Sequence, residues 1–137
     1  MIVLVIIGAS IAAACGSGSG TPTSAPSSTA VARPSSPATL EILRPAPNEH
    51  TARIVDVDLR LEHAQLAAGT QVGGILRPDR GHIHLSVDGT LVSMPLRLHD
   101  RLPPLAPGSH TLQAEFVASD HLPFANRVVA AVTFRVT

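Results

Sequence analysis

The sequence predicts one all-β domain, two packed antiparallel sheets, over residues 39–137. Apolar residues alternate with period two in several separate runs, which is the pattern of half-buried strands. Turn signals rich in Gly, Pro, Asp and Asn separate those runs. Prolines recur along the chain, and no long 3.6-residue apolar stripe survives between them.

The strands follow in order. "TLEILR" (39–44) places Leu40 and Ile42 on one face. "RIVDVDLRL" (53–61) places Val55, Val57, Leu59 and Leu61 on one face, with Ile54, Asp56, Asp58 and Arg60 on the other. "QVGGIL" (71–76) is a shorter candidate strand, and Arg77, Asp79 and Arg80 in "LRPDRG" read as a turn. "HTLQAEFV" (110–117) alternates Leu112, Ala114 and Phe116 against Thr111, Gln113 and Glu115. "VVAAVTFRV" (128–136) sets Val128, Ala130, Val132, Phe134 and Val136 on one side. Phe124, in the connection 119–127, is expected either to anchor that loop or to face a partner.

Asp88-Gly89 is a type I′ turn dipeptide, so "HIHLSV" (82–87) and "TLVSMP" (90–95) form a hairpin. A two-residue turn sets Val87 against Thr90, Leu85 against Val92, His84 against Ser93 and Ile83 against Met94. Paired residues share a sheet face. Ile83, Leu85, Val92 and Met94 are therefore expected in the core, and His82, His84 and Ser93 outside it.

Before the domain, residues 1–14 read as a signal peptide. The apolar run from Ile2 to Ala14 has 13 residues. As a helix it spans about 20 Å, against about 30 Å for a bilayer core. Ala12, Ala13 and Ala14 then precede the only cysteine, Cys15. This segment resembles the lipobox of bacterial lipoproteins, which implies lipidation at Cys15 and a membrane anchor on the extracytoplasmic side. Ala12-Ala13-Ala14 also fits the cleavage site of a secreted protein. Residues 15–38 continue as a Gly/Ser/Thr/Pro-rich linker with one charge, Arg33. Such a composition buries too little apolar surface to offset its ordering entropy.

"PGSHTL", "GHIHLSVDG" and "DHLPF" resemble motifs of secreted immunoglobulin-like domains of the DUF4399 and DUF6130 type. The resemblance implies an Ig-like β-sandwich of about seven strands. In a structural reading of the histidines, His110 is expected to brace a corner by bonding backbone, where other Ig-like domains use Tyr.

Formal net charge is zero, and all ten basic residues are Arg. Nothing marks a nucleic-acid partner. No G-x-S-x-G, P-loop, H-E-x-x-H or C-x-x-C motif occurs, so no catalytic residue is assigned and no enzyme is expected. Asp56 and Asp58 read as a solvated strand face beside Arg60. The expected role is a membrane-anchored, non-catalytic binding or structural domain, with an envelope protein or a glycan as partner.

The alternative is a copper- or zinc-binding module. His82 and His84 project from one strand face, about 6.5–7 Å apart at the backbone. If 82–87 pairs antiparallel with 110–117, the strand start meets Asp120 and His121, while His110 falls near Asp88. A site from His82, His84 and His121, with Asp120 as ligand or supporting group, then becomes feasible. It requires the side chains of His82 and His121 to lie within about 10 Å of each other.

Overall fold

The computed structural model describes residues 32–67 and 75–137. The expected signal peptide (1–14), Cys15, the expected linker as far as residue 31 and most of the run 71–76 lie outside the described residues. Ile75 and Leu76, the end of that run, belong to no strand.

Every described element is a β-strand. They are β1 (Thr39–Arg44), β2 (His50–Thr51), β3 (Asp56–Glu62), β4 (Gln65–Leu66), β5 (Arg80–Val87), β6 (Thr90–Ser93), β7 (His99–Arg101), β8 (Gly108–Ala118) and β9 (Pro123–Val136). A three-stranded sheet has the order β1-β3-β7. A six-stranded sheet has the order β2-β9-β8-β5-β4, with β6 also paired to β5. The domain is thus the all-β sandwich the alternation predicts. The extra strands β2, β4 and β7 are two or three residues long, too short to register as a period in the sequence.

One core lies between the sheets. Val57 and Leu59 of β3 meet Ile83, Leu85 and Val87 of β5, Leu112, Ala114 and Phe116 of β8, and Val132, Phe134 and Val136 of β9. Burying each large apolar side chain here contributes about 1.5–3 kcal/mol. Phe124 is an anchor: it is buried and stacks on Phe116 with ring centroids 5.4 Å apart.

The pairing of β5 with β8 is antiparallel, with His82 opposite Val117 and Val87 opposite Leu112. This register brings the start of β5 to the end of β8. The hairpin turn also forms, with Asp88 at φ 50° and Gly89 at φ 82° and Val87 opposite Thr90. Beyond it the expected register fails. Leu85 pairs with Ser93, because a bulge inserts Val92 between Leu91 and Ser93. A one-residue shift exchanges the faces of everything that follows. Met94, expected in the core, lies past the end of β6 and is 50% exposed. Pro95 follows and cannot donate to the ladder. Ser93 donates a hydrogen bond to Asp100 and does not face His84.

Residues 33–38, expected as part of the linker, belong to the domain: Ser36 and Ala38 are buried. Ser36 exchanges two hydrogen bonds with the Asn126 side chain, and Ala125 N–H donates to Pro34 C=O. A Ser/Pro-rich composition carries no period, so these specific partners leave no mark in it.

Candidate metal centre

His82 and His84 lie on the outer face of β5, two residues apart, as period two requires. The sequence places that face outside the core. His82 is nonetheless only 3% exposed. Its ring is met by that of His121, with centroids 4.1 Å apart. Gly81 makes the close approach of β5 and β8 feasible here. A Cβ at Gly81 would lie 2.0 Å from the Val117 carbonyl oxygen. Only glycine fits that position.

His121 comes from the tight turn between β8 and β9. Ala118 N–H donates to Leu122 C=O at 3.1 Å, and His121 N–H donates to Ala118 C=O at 3.0 Å. The geometry puts His121 at φ 64°, in the left-handed region, which few non-glycine residues occupy. The strained conformation turns the imidazole back over the sheet onto β5.

Three ring nitrogens converge. His82 Nε2 is 2.8 Å and His84 Nε2 is 3.4 Å from His121 Nδ1. One ligand atom from each residue lies within 4.8 Å of the other two. Metal–nitrogen bonds of about 2.0–2.1 Å set tetrahedral edges of about 3.3–3.4 Å. The His84–His121 separation already has that length, and the His82–His121 pair must open by about half an ångström to match it. His84 is half-buried and His121 exposed, so the fourth direction opens to solvent.

Burial is the main cause of a low pKa at both strand histidines. It pushes His82 down to about 4, aided by the repulsion of a positive charge on His121 or His84. His84 is also lowered, by burial and then by His121. Both rings are therefore neutral near pH 7, the form that ligates a metal. His82 Nδ1 is buried with no hydrogen-bond partner. Coordination through Nε2 would place the ring proton on that nitrogen, at about 1–3 kcal/mol for an unmatched donor.

Asp120 is not part of this cluster. Its carboxylate is taken by Arg33, whose two terminal nitrogens donate to Oδ2 at 2.7 Å and Oδ1 at 2.9 Å. The hydrogen bond from Arg33 holds the Asp120 pKa at about 2. Its other acceptor contact is with Leu122 N–H. Asp120, expected as a ligand or a supporting group, is a brace for the turn, because a bidentate guanidinium occupies both oxygens. Arg33 read as the lone charge of a linker, and nothing in its surroundings in sequence marks this pairing.

His110 stands apart, at the other end of β8. Its Nε2 lies 2.8 Å from Ala106 C=O and its Nδ1 2.7 Å from Asp88. Asp88 also accepts from Thr111 N–H. His110 thus ties the hairpin turn to the segment before β8. The acidic strand face is paired: Asp56 with Arg101, Asp58 with His99, and Glu41 with Arg60.

No protein-family model matches the chain. No curated protein matches it either. Among solved structures, CopC from Methylosinus trichosporium OB3b is similar at 21% identity, over 71% of this chain and 92% of CopC, with a TM-score of 0.35.

Proposed function

We propose that the domain is a metal-binding module that holds Cu2+ or Zn2+ on His82, His84 and His121, carried outside the membrane on a lipid at Cys15. The convergence of three imidazole nitrogens from β5 and the β8–β9 turn supports this reading. Neutral imidazoles suit both ions, and copper binds such a set more tightly than zinc.

The site is suited to exchange. One side is open to solvent, where His121 is exposed and His84 half-buried. A structural zinc site has four protein ligands and is closed; three ligands with an open position leave room for a ligand to enter or leave.

Calorimetric titration of the full chain with Cu2+ and with Zn2+ tests the proposal. One ion should bind per chain with Kd below about 10 μM. His84→Ala and His121→Ala should each weaken binding by about tenfold or more. Binding of neither ion, or binding indifferent to both substitutions, rejects the site.

A further inference from the structure

The third ligand is held by a residue that precedes β1 by six positions. Arg33 makes four hydrogen bonds, and all of them fall on residues 120–123. Its fork grips the Asp120 carboxylate, one residue before His121. Its NH2 also donates to Leu122 C=O at 2.9 Å, one residue after. Its Nε donates to Pro123 C=O. The guanidinium therefore spans the turn on both sides of His121. That residue sits at φ 64°, a conformation that persists only where its surroundings fix it.

We infer that Arg33 is the positioning residue of the metal site: the base of the N-terminal segment latches the turn that presents His121 to His82 and His84. The inference rests on the metal-binding reading. Its consequence is that ligand geometry is coupled to the segment joining the domain to its N-terminal leader. Whatever parts the Arg33 guanidinium from the β8–β9 turn frees the third imidazole and leaves a two-histidine site. A second contact of the same segment, between Ser36 and Asn126, lies outside the 120–123 turn. It supplies a control that loosens the segment without touching the latch.

The experiment measures Cu2+ binding and the electron paramagnetic resonance spectrum of bound Cu2+ in the full chain. Arg33→Ala should weaken binding by about tenfold, the scale of losing a group that orients a ligand. It should change the spectrum from three bound nitrogens to two, matching His121→Ala. Adding Arg33→Ala to His121→Ala should change affinity by less than about twofold, since residues acting through one another are not additive. Arg33→Lys, which keeps the charge but not the fork, should fall between Arg33→Ala and the native chain. Asn126→Ala should keep the native affinity and spectrum.

Native binding that survives Arg33→Ala with three nitrogens overturns the latch and leaves the metal site standing. An additive loss in the double variant, or an equal loss from Asn126→Ala, also overturns it, because either marks general loosening of the fold. A native chain that binds no Cu2+ removes the metal reading and the latch with it.

Discussion

His82 Nε2 and His121 Nδ1 lie 2.8 Å apart, and this contact joins the buried end of β5 to an exposed turn. A hydrogen bond between two neutral rings needs one N–H and one lone pair, so protonating both rings breaks it. In the metal-free chain, this makes acid a specific threat. His82 titrates near 4 in the fold against 6.5 unfolded. Between those values the unfolded chain carries a proton that the folded chain lacks, so stability falls as pH falls. His84, lowered as well, acts in the same direction. Unfolding free energies from urea titrations between pH 7 and 4 should decline, by at most about 1.4 kcal/mol per pH unit for His82, with His84 adding in the same direction. His82→Phe should flatten the decline. Asp120 acts later, because its pKa of about 2 against 3.8 confines its loss to more acidic solution. A native chain whose unfolding free energy is level from pH 6.5 to 4.5 contradicts this account.

His110 should behave in the opposite way. Its pKa is raised, first by the Ala106 carbonyl and then by Asp88. The protonated ring is thus favoured in the fold. Its contribution is complete below the unfolded pKa and disappears as pH rises through the folded one. NMR titration should find the His110 midpoint above 6.5 and that of His82 well below it. Asp88→Asn should lower the His110 midpoint without restoring the unfolded value, since the carbonyl bond remains. Coincident midpoints for the two histidines would refute both assignments.

Much of this domain is legible in its apolar alternation. Val57, Leu59, Leu112, Ala114, Phe116 and Phe134 all point inward as their spacing requires. The antiparallel pairing of β5 with β8 enters the sequence reading only as a condition, but once that condition is met it brings His121 toward His82. The bulge at Val92 is not legible. It depends on local twist, and it moves Met94 out of the core without changing any residue type. The burial of His82 is missed for a related reason: alternation assigns a face, while burial depends on what later covers that face. Arg33 is the largest omission, since its partner is 87 residues away in sequence. The positive φ at His121 has no residue-type signal either, because Gly or Asn would be the usual choice there.

The proposed lipid anchor has its own test. Replacing Cys15 by Ala removes the only thiol that can carry a lipid. Membrane fractions of cells expressing the native chain should contain the protein, and the Cys15→Ala chain should appear in the soluble fraction. A single acyl chain binds membranes only marginally, so retention should depend on more than one chain at that residue. Equal retention of both chains rejects the lipid and leaves the leader as the means of attachment.

Gly81 separates the demands of packing from those of backbone conformation. At this position an added Cβ meets the Val117 carbonyl oxygen at 2.0 Å, and backbone cannot yield as a side chain can. Gly81→Ala should therefore push β5 from β8 beside His82, costing about 1–3 kcal/mol. Because the displaced residue is next to a proposed ligand, metal affinity should fall with stability. Gly89→Ala is the matched contrast. Its Cβ meets nothing, but its φ of +82° is unfavourable for an L-residue. That substitution should cost about 1 kcal/mol in backbone strain and leave metal affinity unchanged, since the turn lies at the far end of β5. Differential scanning calorimetry and Cu2+ titration of the two variants give both quantities. If Gly81→Ala retains native affinity while losing stability, the approach of β5 to β8 supports the fold alone and not the site.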